Sequence, residues 1–170
     1  MLHGFSGTAQ SVARTFPLAD EFGIIILAPD SRDITWDAIL GGFGPDVDFI
    51  LTALEYTFAR CTIDRQRMAL AGFSDGASYA LSLGIGNGDF FSHLMAFAPG
   101  VMTPADVRGK PRIFISHGTH DTVMPIDDTS RRIVSRLTAL GYDVTYREFD
   151  GRHGVPLPIV REAFEWFGRT

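Results

Sequence analysis

The chain has 170 residues, 45% of them hydrophobic and 21% charged, with a net charge of −5. That length supports one domain around a single core, and an acidic balance with no run of Lys or Arg excludes a dedicated nucleic-acid surface. No segment is apolar for long enough to span a bilayer, and a single cysteine, Cys61, leaves no internal disulfide to form.

Cys61 reads as a small buried hydrophobe, and such cysteine usage fits a reducing, cytoplasmic setting. The opening residues Met1-Leu2-His3-Gly4-Phe5 lack the basic region and apolar stretch of a signal peptide. No repeat, low-complexity tract or linker divides the chain, so residues 1–170 read as one domain.

Ile24-Ile25-Ile26-Leu27-Ala28 is a short β-branched run ended by Pro29-Asp30. It predicts a strand buried on both faces. A helix is expected over 46–60, where Val47, Ile50, Leu51, Leu54 and Phe58 recur at helical spacing and Pro45 suits the first turn. A strand over 67–73 and a helix over 75–84 follow. Further strands are expected over 93–98 and 111–116, the second centred on Ile113-Phe114-Ile115. The helix over 130–140 carries Ile133, Val134, Leu137 and Leu140 on one face, with Gly141 as its cap. Residues 144–149 alternate, as a strand near the sheet edge does. The last helix, over 158–167, turns Ile159, Val160, Ala163, Phe164 and Phe167 inward. Strands alternating with amphipathic helices define an α/β class, a mostly parallel sheet covered on both faces in three αβα layers. Chemistry in such sheets collects at the carboxyl ends of the strands.

One such end reads Gly72-Phe73-Ser74-Asp75-Gly76-Ala77, directly after Met68-Ala69-Leu70-Ala71. The G-x-S-x-G spacing matches a nucleophile elbow. A chain that reverses from strand to helix within one residue leaves little room two positions either way, which glycine relieves. The turn lifts the Ser74 hydroxyl above the sheet, at a helix amino end whose free N–H groups favour a developing oxyanion. The alternative is a glycine-rich turn with an N-capping serine.

A serine hydroxyl needs a base, and the base an orienting acid. Asp121 follows the strand over 111–116, and His153 sits in Gly151-Arg152-His153-Gly154 after the strand over 144–149. Ser74, Asp121 and His153 thus fall at three strand ends in the order this type of fold uses. The competing residues have structural readings. His3 and His117 precede glycines and shape loops, His93 opens a strand, and His120 neighbours Asp121. Asp127 and Asp128 suit a helix start, and Asp150 lies too near His153 along the chain. For an oxyanion hole, the N–H of Asp75 and that of Phe5, in Leu2-His3-Gly4-Phe5-Ser6-Gly7, are the candidates.

Together these segments resemble the α/β-hydrolase superfamily, and more closely its phospholipase/carboxylesterase group, which includes acyl-protein thioesterases. The matching pieces are LHGFSG at 2–7, GFSDGA at 72–77, HGTHDTVMP at 117–125 and GRHG at 151–154. The resemblance implies hydrolysis of carboxylic or thioester bonds through an acyl-serine, without metal or cofactor. It also implies two further strands before Leu2, so the fold is expected in an N-terminally shortened form. A missing interior strand would leave its neighbours' backbone groups unpaired, at roughly 1–3 kcal/mol each. A start downstream of the natural one, a sheet that closes up, and a second copy covering the gap each account for this, and self-association into a homo-oligomer is the favoured expectation.

The segment 31–45 carries Trp36, Leu40 and Phe43, and with Met124 and Val155 it reads either as a substrate-pocket wall or as core filling. No insertion is large enough for a substantial lid, which favours small, short-chain acyl esters. A serine esterase is the expected function. A thioesterase or peptidase with the same residues, and a catalytically silent binding or scaffold protein, are the alternatives.

Overall fold

The computed structural model describes residues 1–169. Four strands, β1 (Ala69–Phe73), β2 (His93–Phe97), β3 (Arg112–Gly118) and β4 (Val144–Phe149), form one sheet in that order, each parallel to its neighbours. The helices are α1 (Phe16–Glu21), α2 (Asp37–Leu40), α3 (Pro45–Phe58), α4 (Asp75–Gly86), α5 (Ser130–Ala139) and α6 (Leu157–Gly168). A 3-10 stretch, Ala9–Thr15, leads into α1. Neither this stretch nor α1 is among the elements expected from the sequence, although Pro17 in the first turn and Leu18, Ala19 and Phe22 beyond it are a short helix signal.

Alternation along the strands divides the core in two. Leu70, Leu94, Ala96, Ile113 and Ile115 pack towards α3, α4 and α5. Ala71, Met95, Phe97 and Phe114 pack towards α1 and α6, meeting Val160, Ala163 and Phe164. The result is an α/β sandwich of three layers. Pro45 opens α3 at its first turn, and Val47, Ile50, Leu54 and Phe58 reach the core as the spacing predicts. Leu51 and Leu140 do not: each is about half exposed, because it falls at the margin of its helix's apolar stripe. Gly141 takes a φ of 75° and returns its N–H to the Thr138 carbonyl, closing α5.

The expected strand over 24–28 is not one. These residues run without a ladder, and Ile25 is more than half exposed. Pairing requires a neighbouring strand, and among the described residues none ladders with this segment, although the Met1 ammonium donates to the Leu27 carbonyl. The outer edge of β1 carries a single parallel bridge, Leu2 with Gly72, made by Leu2 N–H to the Ala71 carbonyl and Phe73 N–H to the Leu2 carbonyl. Beyond it, an apolar slot of about 410 Å³ separates β1 from residues 24–27, walled by Ile50, Leu54 and Phe58 on one face and by Met95, Phe164 and Phe167 on the other. The sheet has therefore not closed up by drawing its flanks together.

Candidate active site

Ser74 follows β1 with φ 55° and ψ −118°, a backbone conformation that side-chain-bearing residues rarely adopt. Its N–H donates to the Phe97 carbonyl, while its own carbonyl accepts from Ala77 and Ser78 and so starts α4. A Cβ at Gly72 would overlap the Gly76 carbonyl, and one at Gly76 would overlap the Leu2 and His3 carbonyls. Both elbow glycines are thus required by space.

The Ser74 hydroxyl lies 2.9 Å from His153 Nε2, and His153 Nδ1 lies 2.6 Å from Asp121 Oδ2. The carboxylate only accepts, so Nδ1 carries the hydrogen and Nε2 is free to accept from the serine. Phe73 braces the imidazole at 4.9 Å between ring centroids. The loops bearing Asp121 and His153 are zipped together: Thr119 N–H donates to the Phe149 carbonyl and His120 N–H to the Gly151 carbonyl. A Cβ at Gly118 would overlap the Gly151 and Arg152 carbonyls, so glycine at the end of β3 permits that approach.

Asp121 is buried, and its Oδ1 accepts from the N–H groups of Val123 and Met124. Burial pushes its carboxyl up, but the Met124 N–H, His153 and the Val123 N–H outweigh burial and hold it below the usual carboxylate range. A second imidazole approaches the same oxygen. His117 Nε2 lies 3.1 Å from Asp121 Oδ2 and 2.8 Å from the Met124 carbonyl, and its Nδ1 lies 2.6 Å from the Ser130 hydroxyl. Burial lowers the pKa of His117, keeping it neutral. The sequence reading gave His117 only a loop-shaping part. The four-residue step from His117 to Asp121 was the signal that could have linked them.

The remaining histidines keep structural places. His3 is buried, with Nδ1 on the Gly4 carbonyl and Nε2 accepting from Ser31 N–H. His93 packs edge-on against Trp166 and Phe167. His120 pairs with Asp150 on the surface, and Asp127 and Asp128 pair with Arg131 and Arg132 one turn on.

Phe5 is exposed, and the loop it sits in touches the elbow: a Cβ at Gly4 would lie 3.3 Å from that of Ser74. The Phe5 and Asp75 N–H groups have no acceptor among the described residues. Thr35 donates its hydroxyl to Asp75 Oδ2, which ties the 31–45 segment to the elbow. Two expected pocket residues belong to the core instead. Trp36 is fully buried between His3 and Tyr79, its indole N–H satisfied by the His3 carbonyl. Val155 packs with Val160 and Phe164, and its carbonyl accepts from Arg14. Phe43 leans edge-on against Tyr79, and Met124 lies half-buried with its sulfur facing Gly100.

No protein-family model and no curated protein matches the chain. Solved structures do. Esterase PE8 is 21% identical with a TM-score of 0.73, covering 99% of this chain and 89% of that one. The Bacillus cereus carboxylesterase is 19% identical with a TM-score of 0.74, covering 99% and 86%. FphF, a fluorophosphonate-binding serine hydrolase of Staphylococcus aureus, is 14% identical with a TM-score of 0.77, covering 98% and 81%. The class is therefore an α/β fold, shared with solved structures of esterases. The same fold is found in a phospholipase/carboxylesterase from Dyadobacter fermentans, 20% identical with a TM-score of 0.69, covering 97% of this chain and 88% of that one.

Proposed function

We propose that the protein is a serine esterase that hydrolyses small, short-chain acyl esters through an acyl-serine. One observation carries the reading: a serine on a strained strand-to-helix turn stands 2.9 Å from an imidazole whose far nitrogen donates to a buried, ionised carboxylate. His153 Nε2 takes the Ser74 proton as Oγ attacks the ester carbonyl. Asp121 holds the ring in the tautomer that leaves Nε2 bare and stabilises the imidazolium that forms. The oxyanion is held by the N–H groups of Asp75, at the amino end of α4, and Phe5, where one lost donor lowers the rate about 10²–10³-fold. His153 then returns its proton to the leaving alcohol. Water, deprotonated by the same base, hydrolyses the acyl-enzyme.

Two features support a small substrate. The site lies at the strand ends with Ser74 only 5% exposed, and the 31–45 segment is tied down through Thr35, Trp36 and Asp37, the last accepting from the Gly44 and Asp46 N–H groups and the Tyr79 hydroxyl. It acts as a fixed wall, not a lid. The test is hydrolysis of p-nitrophenyl acetate and butyrate, with Ser74→Ala at background, together with labelling of Ser74 by a fluorophosphonate. An intact, folded protein that neither turns over these esters nor takes the label would leave the silent-scaffold reading in place. Turnover of thioesters well above oxygen esters would reassign the substrate and keep the mechanism.

A further inference from the structure

We propose that His117 is a positioning residue for the reaction given above: it clamps the Asp121 carboxylate in the orientation that receives the His153 Nδ1–H. The proposal rests on the hydrolase reading. His117 is fully buried on β3 and never meets the serine. The Met124 carbonyl can only accept, so the nitrogen facing it, Nε2, carries the hydrogen. The Ser130 hydroxyl donates to the bare Nδ1 and selects that tautomer. The same Nε2 stands 3.1 Å from Asp121 Oδ2, the oxygen that accepts from His153.

Met124 closes the arrangement. Its N–H grips Asp121 Oδ1 while its carbonyl is held by His117. Rotation of the carboxylate would break contacts to Val123, Met124 and His153 together. In the other tautomer, the Nε2 lone pair would face the Met124 carbonyl and the Asp121 carboxylate, and both contacts would become repulsive. A phenylalanine would fill the same space and make neither contact. The charged and titratable groups around His117 are Asp121 on its own loop, His153 on the loop after β4, and Glu148 on β4. Glu148 stands in register with His117 and pairs with Arg131 of α5.

The test compares the wild type with His117→Phe, His117→Gln and Ser130→Ala on p-nitrophenyl acetate across the acid limb of the pH profile. His117→Phe is expected to lower kcat about 10- to 100-fold, with KM within about threefold of the wild type. The acid limb of kcat/KM moves to higher pH, because a carboxylate that loses a partner holds the His153 imidazolium more tightly. His117→Gln keeps an N–H for the Met124 carbonyl and recovers most of the rate. Wild-type kcat and acid limb in His117→Phe overturn the proposal, as does an equal loss in the Phe and Gln variants with an unmoved limb. Should His117→Phe fail to fold, Ser130→Ala decides: slower turnover with a shifted limb supports the clamp, and wild-type behaviour removes it. A wild type without esterase activity or fluorophosphonate labelling sinks the hydrolase reading separately. The clamp is then judged on the downfield His153 Nδ1–H proton resonance, which His117→Phe weakens if the clamp is real and leaves unchanged if it is not.

Discussion

β1 has two sides, and they are built differently. Its inner side pairs with β2 along its whole length, from Ala69 with His93 to Phe73 with Phe97, and that ladder runs on through β3 to β4. Its outer side has one bridge, to Leu2, and then the slot before residues 24–27. The proposed nucleophile, acid and base all descend from the inner side. The proposed oxyanion loop hangs from the outer side, held by the two Leu2 hydrogen bonds, by Trp36 on the His3 carbonyl and by Ser6 N–H on the Ile34 carbonyl. The proposed centre thus draws on parts with unequal backbone pairing, and local opening of the outer part would remove an oxyanion donor without disturbing the serine–histidine pair.

Gly76→Ala probes the seam between the two sides, and carries the largest expected effect. Its new Cβ would overlap the Leu2 and His3 carbonyls, which are backbone and cannot rotate away. The elbow and the outer bridge cannot both persist. We expect esterase activity at background and a loss of stability above about 4 kcal/mol, the range reserved for such steric conflicts. Near-normal activity and denaturation midpoint would show that the Leu2 segment is free to move away. Asp121→Asn acts on the inner side alone. It keeps the shape, but its amide favours the wrong imidazole tautomer, so kcat should fall about 10³–10⁴-fold with the denaturation midpoint nearly unchanged. A loss below tenfold would mean that Asp121 does not orient His153.

The contrast between the sides also explains what could be read in the sequence. Ser74, Asp121 and His153 were legible because each follows an apolar run at a strand's carboxyl end, and parallel pairing brings such ends together. β1 to β4 were legible for the same reason, with shifts of no more than two residues at their ends. The run Ile24-Ile25-Ile26-Leu27-Ala28 has equally strong strand composition but forms no ladder, since pairing depends on what lies beside a segment in space. Trp36 could not be told from a pocket wall because an indole suits both places. What decides is the partner of its N–H, the His3 carbonyl, which lies 33 residues away. The glycine after His117 suggests only a turn, whereas the residues that give it a part, Met124 and Ser130, are met only in three dimensions.

On the inner side, truncation should be severe. Ile115 is fully buried at the centre of β3, and Ile115→Ala should lose about 2–5 kcal/mol, read from denaturant midpoints. A somewhat smaller effect comes from His93. Burial first, then Arg112 and Arg67, push its pKa down from 6.5 to about 4, so the folded state keeps it neutral while the unfolded chain protonates it. Its contribution is complete above about pH 6.5 and is lost as the pH falls towards about 4. Stability should therefore drop by about 2 kcal/mol between about pH 7 and pH 5 on this account. In His93→Phe, which keeps a ring between Trp166 and Phe167, that part of the drop should vanish. An unchanged pH dependence would assign the acid sensitivity to other groups.

The smallest effect is expected on the outer side, and its smallness is the point. Ile25 has the same side chain as Ile115, yet it is 56% exposed and belongs to a segment with no ladder. Ile25→Ala removes little buried area and leaves no sealed cavity, so the loss should stay within about 0.5 kcal/mol. Amide exchange gives the same comparison without mutation. The N–H groups of 25–27 should exchange by local opening, while those of β2 and β3 exchange only near the global unfolding free energy. A loss of about 2 kcal/mol or more in Ile25→Ala, together with strong protection of 25–27, would mean that the slot is filled in solution and the outer side is as firmly packed as the inner one. The oxyanion loop would then be as fixed as the serine, and no difference in local stability would separate the two halves of the proposed centre.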